Sequence, residues 1–357
     1  MVRNNKATIN DVARIARVST TTVSRYLNKS IRLPGETTAR IDQAIADLHY
    51  QPSVLAKRLL KGATEIIGLA TPDIGNPFFA ELAASVEARA ASLGYSVILC
   101  STGNRLEQEL VYLGRLASRH ADGLIFLTNH GDDGTLRRAF EVRRNIVLLD
   151  EDIRGLDVPK VFVENERGGY MATQCLINAG HRRIAHISGP PNLFSVRERV
   201  AGFRKALGEV GVTVPDDQII FGRYDRAFGH EAAARLLQQP EPPTAIFAAS
   251  DYLVMGILDA LHELGLKAPQ DLSLVGFDDM PFASLLDPPI TTVRQPIRLM
   301  GEHGVNALIA RIKGDDHPAT VERLPVKLIE RASVAPPRNA ASRGAASTKR
   351  DRKMPPE

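Results

Sequence analysis

Along the first fifty residues apolar positions recur at helical intervals: Val12, Ile15 and Ala16 in one stretch, then Val23, Tyr26 and Leu27 after a break. The spacing predicts two short helices joined tightly, with Arg17 and Val18 as the turn. Thr8 stands three residues before Asp11, a capping-box spacing that starts the first helix at Ile9 with an acidic group near its positive end. Ser19 is placed to cap the second in the same way. A third helix follows in LPGETTARIDQAIADLHY, with Pro34 near its first turn and Ile41, Ala44, Ile45 and Leu48 on one face. Next, QPSVLAKRLLKG reads as a short helix begun by Pro52 and ended by Gly62. Isolated helices of that length are marginal in water, so this one is expected to order only on a partner.

From Ile66 the pattern changes to short β-rich runs separated by amphipathic helical stretches, a βαβ alternation that implies parallel sheets. The strand candidates are IIGLA, YSVILC, DGLIFLT, NIVLLD, KVFVEN, RIAHISG, DQIIFG, TAIFAAS, LSLVGF, ITTVRQ and LPVKLIER. These are too many for one comfortable doubly wound sheet and predict two α/β lobes facing a cleft. The tail from Pro336 is rich in Pro, Gly, Ser, Ala and charge, lacks periodicity and is read as disordered. The organisation expected is therefore a helical module at 1–50, a short linking helix at 51–62, a core at 63–335 and a basic tail at 336–357.

Composition sharpens this picture. A chain of 357 residues with 44% hydrophobic content can bury sizeable cores. The net charge of +4 hides an asymmetry: residues 1–62 hold 11 Lys+Arg against 4 Asp+Glu, 336–357 hold 6 against 2, and the body between them is acidic. A basic module on an acidic body is the pattern expected when one domain meets phosphates and another does something else. The two cysteines, Cys100 and Cys175, are too few for a disulfide framework and have no metal-ligand spacing, so they read as reduced thiols. The N-terminal stretch has no apolar signal core and no apolar run is long enough to span a membrane, which leads to the expectation of a cytoplasmic protein with no membrane partner.

The second helix carries the first piece of candidate chemistry. Thr20, Thr21, Thr22, Ser24 and Arg25 place small hydroxyls and one guanidinium on one face. Such a face suits the floor of a DNA major groove, where hydroxyls bond base edges and a threonine methyl meets the thymine methyl; Arg25 can clamp a guanine edge or a phosphate. The plainer reading is a solvated helix of weak helix formers. Enzyme signatures are missing: there is no G-x-G-x-x-G, P-loop, G-x-S-x-G or H-E-x-x-H pattern, and the nine histidines have no ligand spacing. No cofactor and no metal are expected, and an α/β enzyme is the disfavoured rival.

The run TINDVARIARVSTTTVSRYLN, the Tyr50-Gln51-Pro52-Ser53 entry to the short helix, and NPFFAEL, ADGLIFL, RVAGF and LVGFDD in the body together resemble the LacI/GalR family of bacterial transcriptional regulators, over residues 7 to 335. The resemblance implies an α-helical helix-turn-helix headpiece, a hinge helix for the minor groove, and an α/β two-lobed periplasmic-binding-protein-like core with parallel sheets that dimerises and holds a small effector. It implies that Thr20 and Thr21 read bases, that Arg25 stands beside the recognition face, and that Thr8, Ser19, Thr22, Ser24 and Asn28 cap helices or touch phosphates. In the hinge, Leu59 matches the family's intercalating leucine, and Leu55 and Ala56 match positions packed in the minor groove. Lys57, Arg58 and Lys61 either add phosphate attraction or form a solvated face.

For the cleft, the resemblance points to Asn76, Phe78, Phe79, Asp150, Arg199, Tyr224, Ser250, Asp278 and Gln295. Of the two phenylalanines, one is expected to point into the cleft and the other into the core. Two carboxylates, an arginine, an amide and aromatic faces suit a polyhydroxylated molecule, so a sugar or sugar derivative is favoured. Purine-binding relatives use overlapping positions, and response to a phosphorylated protein co-regulator stays open. A transport-type sugar-binding protein would share the core but needs an export signal and no headpiece. The partners expected are double-stranded operator DNA, the effector and a second copy of the chain. Two departures from the family pattern stand out. Arg17 occupies the turn position usually held by Gly, where a left-handed backbone costs least, and Pro34 stands where many relatives have Ser or Thr. The tail lacks a leucine heptad, which favours a dimer over a tetramer.

Overall fold

The computed structural model describes residues 7–28, 30–50, 64–115, 121–131, 133–140, 145–315 and 318–338. The chain divides into two units, Met1–Thr64 and Glu65–Glu357. Leu55, Ala56, Lys57 and Leu59, and the tail beyond Arg338, lie outside the described residues.

The first unit is built on α1 (Ile9–Ala16), α2 (Thr20–Leu27) and α3 (Gly35–Asp47). At the start of α1, both the amide and the hydroxyl of Thr8 donate to one Asp11 carboxylate oxygen, at 3.0 and 2.7 Å. These bonds hold the Asp11 carboxyl below its ordinary range. Ser19 caps α2 by accepting from the Thr22 amide at 3.1 Å. Pro34 has no side chain to cap α3, and its carbonyl accepts from the Thr37 and Thr38 amides instead, each at 3.0 Å. Arg17 takes the left-handed conformation, φ 53° and ψ 47°, that the turn demands. Val12, Ala13, Ala16, Val23, Ile41 and Ala44 form the core. Ile15, expected on the buried face, is 47% exposed, because the face of α1 that packs inward runs through Val12, Ala13 and Ala16.

The second unit holds two six-stranded sheets. The first is ordered β11-β5-β4-β3-β1-β2, from β1 (Ile66–Thr71), β2 (Ser96–Ser101), β3 (Gly123–Phe126), β4 (Ile146–Leu149), β5 (Lys160–Val163) and β11 (Val321–Leu324). The second is ordered β12-β10-β9-β8-β6-β7, from β6 (Ile184–Ser188), β7 (Ile219–Phe221), β8 (Ala245–Ala248), β9 (Ser273–Asp278), β10 (Thr291–Arg294) and β12 (Lys327–Ile329). Every pairing is parallel except that of β12 with β10. The run LPVKLIER is not one strand. Pro325 lacks the amide a ladder needs, and the chain there leaves β11 on one sheet to start β12 on the other.

Each sheet with its helices makes one lobe, and the chain passes between lobes three times: after Val163, between Arg294 and Ile297, and between Leu324 and Lys327. Helices Pro77–Ser92 and Ile297–Ile312 pair on the first lobe, and Asn165–Asn178 and Phe194–Glu209 pair on the second. The second pair meets at Gly202, where an added Cβ would fall 2.0 Å from the Glu166 carbonyl oxygen, so only glycine permits that approach. Among the described residues no helix is long and apolar enough to cross a membrane, and no cluster of His, Cys, Asp or Glu is built to hold a metal. Cys100 and Cys175 are free thiols, and burial pushes Cys175 up to about 11.

Candidate functional site

The C-terminal ends of strands in both sheets face one cavity of about 30 Å³. All nine cleft residues read from the sequence line it, together with Asn129, Glu151 and Ser195. Parallel sheets put their loops at these ends, which is why residues far apart in the chain meet there.

Each position has a local reason. Asn76 caps helix Pro77–Ser92, its Oδ1 accepting from the Phe78 amide at 3.1 Å. Phe78 and Phe79 both line the cavity, each 5% exposed, with rings edge to face at a centroid distance of 5.2 Å. Both also pack into the hydrophobic core of the unit. Ser250 caps helix Asp251–Glu263, its hydroxyl oxygen accepting from the Leu253 amide at 3.2 Å. Asp150 and Asp278, just past β4 and at the end of β9, adopt positive φ of 67° and 112°. Strained backbone of this kind persists where surrounding structure dictates it, and it gathers at functional sites.

Arg199 is the buried cation of the site. Its Nε donates to Asn165 Oδ1 at 2.8 Å and its Nη1 to the Ala249 carbonyl at 2.6 Å, and the guanidinium lies 3.8 Å from the centre of the Phe277 ring. Around it stand three buried carboxyls, Asp150, Glu151 and Asp278. Burial raises all three, with the Arg199 charge opposing the shift at Asp150 and Asp278; Glu151 is pushed up to about 8, first by burial and then by the neighbouring Asp150. Burial likewise pushes the Tyr224 hydroxyl up. Gln295 Nε2 donates to Asp278 Oδ1 at 2.7 Å. Three lining atoms are buried without a hydrogen-bond partner: Asp150 Oδ1, Tyr224 OH and Gln295 Oε1.

Three lining residues escaped the sequence reading. Asn129 stands just past β3, at a strand end of a parallel sheet where ligands meet it, and could have been found on that ground. Glu151 and Ser195 touch each other across the two lobes, a non-local pairing for which no sequence spacing gives a sign. A larger groove of about 540 Å³ lies at the other end of the second sheet, beside Arg182, Arg183 and Leu207. None of the residues around it carries a buried polar atom without a partner, so the smaller interlobe cavity is the better ligand site.

On the first unit, Ser19, Thr20, Thr21, Arg25 and Asn28 are exposed and Thr22 and Ser24 half-buried, while Thr8 is engaged with Asp11. Among the described residues the Arg25 and Arg17 guanidiniums make no side-chain hydrogen bond or ion pair. Thr22 and Ser19 hydroxyls bond each other at 2.8 Å, which assigns them to the cap of α2 and leaves Thr20, Thr21 and Arg25 as its open face.

A helix-turn-helix with an open hydroxyl and guanidinium face, carried in one chain with a two-lobed core closed on a polar cavity, defines the class of DNA-binding regulators with a sensor core. Residues 8–53 match the family model of bacterial regulatory proteins, lacI family, and 173–334 match a periplasmic binding protein-like domain. The chain is 38% identical to an HTH-type transcriptional repressor PurR of Escherichia coli over 332 residues, 92% of this chain and 97% of that protein. The lac repressor dimer bound to operator and the anti-inducer ONPF superimposes with a TM-score of 0.82 at 27% identity, over 93% of this chain and 100% of that one. A LacI family regulator from Enterococcus faecium with bound ribose gives 0.68 at 30% identity, over 76% and 100%. The chain belongs to the LacI family: it is a DNA-binding transcriptional regulator with an effector-binding core.

Proposed function

We propose that the protein is a repressor that binds a roughly palindromic operator as a homodimer and that a sugar-class molecule in the interlobe cavity controls this binding. In this reading α2 lies in the major groove with Thr20 and Thr21 on base edges and Arg25 on a guanine edge or phosphate. Leu55, Ala56 and Leu59 of the paired hinges enter the central minor groove, with Lys57 beside a phosphate. Exposed Ile98 and Leu99 on the outer strand β2 of the first lobe are available to a second copy.

The observation that carries the effector class is the set of cavity atoms without partners. Two of the three, on Asp150 and Gln295, are acceptors, and the third is the Tyr224 hydroxyl. They call for a ligand that presents donors on several sides, as a polyol does, while Phe78 and Phe79 cover its apolar face. The ribose held by the Enterococcus faecium relative supports this reading. A purine is the second reading, favoured by the PurR relatives and by the flat faces of Phe78, Phe79 and Tyr224.

The cavity is far smaller than the roughly 300 Å³ and upward of ligand pockets, so admission of either class requires the lobes to part. A ligand that binds one arrangement better than the other shifts the balance between them, and with it the hinge spacing. The test is a thermal-shift screen of the full chain against pentoses, hexoses, sugar acids and purine bases, with hits retested for operator release. A pentose or hexose that raises the melting temperature and alters operator affinity is expected. A response to purines alone replaces the sugar reading, and silence across the panel moves the effector to a protein co-regulator.

A further inference from the structure

We propose that Glu151 is a clasp between the two lobes, a positioning residue that holds the cavity shut by seating its carboxyl on the first turn of a helix in the opposite lobe. The proposal rests on the cavity being the effector site.

Glu151 follows β4 of the first sheet, whereas Phe194 and Ser195 open helix Phe194–Glu209, which packs on the second. The first amides of any helix lack intrahelical partners, and here the residue before the helix, Leu193, has no side chain able to supply one. The other lobe supplies it. Glu151 accepts from the Phe194 amide at 2.7 Å, from the Ser195 amide at 3.3 Å, and shares a close contact with the Ser195 hydroxyl. An acidic group is thereby held at the positive end of the helix dipole. The same helix carries Arg199 one turn further in, so the clasp also fixes how deep the buried cation sits. When the lobes part these bonds must break and water must take their place.

A weaker strap runs beside it. Arg323 on β11 of the first lobe forks Glu198 of the same helix at 2.8 and 2.9 Å, and its guanidinium lies over the rings of Phe162 and Phe194, at 5.9 and 5.3 Å from their centres. Arg323 is 43% exposed, so solvent screens that pair, while Glu151 is 4% exposed.

Closure therefore has a protonic consequence. The titratable groups facing Glu151 are Asp150 beside it, Arg199 from the clasped helix, and Tyr224 and Asp278 from the second lobe. Burial and the Asp150 charge place the closed-state carboxyl at about 8, and the bonds from Ser195 and Phe194 pull the other way without cancelling the shift. Opened to water, the carboxyl returns to the ordinary range near ~4.3. The closed form therefore binds a proton the open form gives up: closure is unpenalised below that range and increasingly penalised as pH rises to about 8. Because the clasped cavity is too small for the effector, closure opposes its admission, and effector affinity is expected to rise across that window, by at most about tenfold per pH unit for this one group.

The test starts with the ligand-free full chain, so that it stands or falls apart from the effector reading. Hydrogen–deuterium exchange of the Phe194 and Ser195 amides is compared between wild type and Glu151→Ala. The clasp predicts exchange at least about tenfold faster in the variant, with the amides of Phe203–Leu207 unchanged; equal exchange at 194 and 195 overturns it. Glu151→Gln, which keeps the shape but binds no proton, covers the case in which Glu151→Ala fails to fold. Its melting temperature should exceed wild type by more at pH 8.5 than at pH 6, and a gap that does not change with pH overturns the proposal. D-ribose then serves as the probe for affinity: its failure to bind counts against the effector reading and leaves the exchange result on the clasp standing.

Discussion

Arg17 shows what a single backbone conformation costs. A left-handed residue with a Cβ is disfavoured by about 1–2 kcal/mol, and the turn between α1 and α2 imposes that conformation on an arginine. Arg17→Gly is expected to stabilise the first unit by about 1 kcal/mol, read as a higher urea midpoint of its helical signal. The opposite sign holds at Arg199. It supplies the donors to Asn165 and the Ala249 carbonyl and the only cation among the cavity-lining residues. Arg199→Ala leaves these groups and the Asp150 and Asp278 carboxyls uncompensated, and a loss of about 3–5 kcal/mol is expected in denaturant unfolding of the core. The cleft residues were legible through the family resemblance, position by position, and Asp150 and Asp278 also sit at strand ends, where a parallel sheet meets its ligands. Glu151 was illegible because its meaning lies in Ser195, which only folding brings near.

At the scale of elements, the caps and periodicities of α1 and α2 were written locally. Thr8 with Asp11 and Ser19 with Thr22 act over three residues, a distance sequence can display. What local pattern could not display was which side of α1 would face the others. Ile15 obeys the helical period yet lies outside the packed face, because the arrangement of three helices selects Ala13 instead. Likewise the β-rich run LPVKLIER, read as one strand, hid the change of sheet at Pro325. The division of labour along α2 makes a paired prediction. Ser19→Ala should lower the thermal stability of the first unit by about 1 kcal/mol through the lost cap. Thr20→Ala should leave stability within about 0.5 kcal/mol and instead weaken operator binding by about 1–3 kcal/mol with relaxed base preference, measured by fluorescence anisotropy on operator variants.

For the whole molecule the uneven charge matters most. The basic residues of the first 62 positions and the acidic body separate two kinds of recognition, one electrostatic and one built on buried hydrogen bonds. Operator affinity is expected to fall steeply with salt, by about 10³-fold or more between 50 and 200 mM if about six phosphates are neutralised. Effector affinity over the same range should change little, since its partners are shielded from the ions. A titration of each ligand at both salt concentrations checks the contrast.

The threading of the core sets a calendar for its synthesis. As the chain leaves the ribosome, the strands of the first lobe emerge in order from β1 to β5, but the strand that covers the outer edge of β5 is β11, and the helix that pairs with Pro77–Ser92 is Ile297–Ile312. Both emerge after the second lobe has been made through β10. The lobe begun first is thus completed only when the second has been made through all but its edge strand β12, and until then an unpaired strand edge and an uncovered apolar surface are open to chaperones and to neighbouring nascent chains.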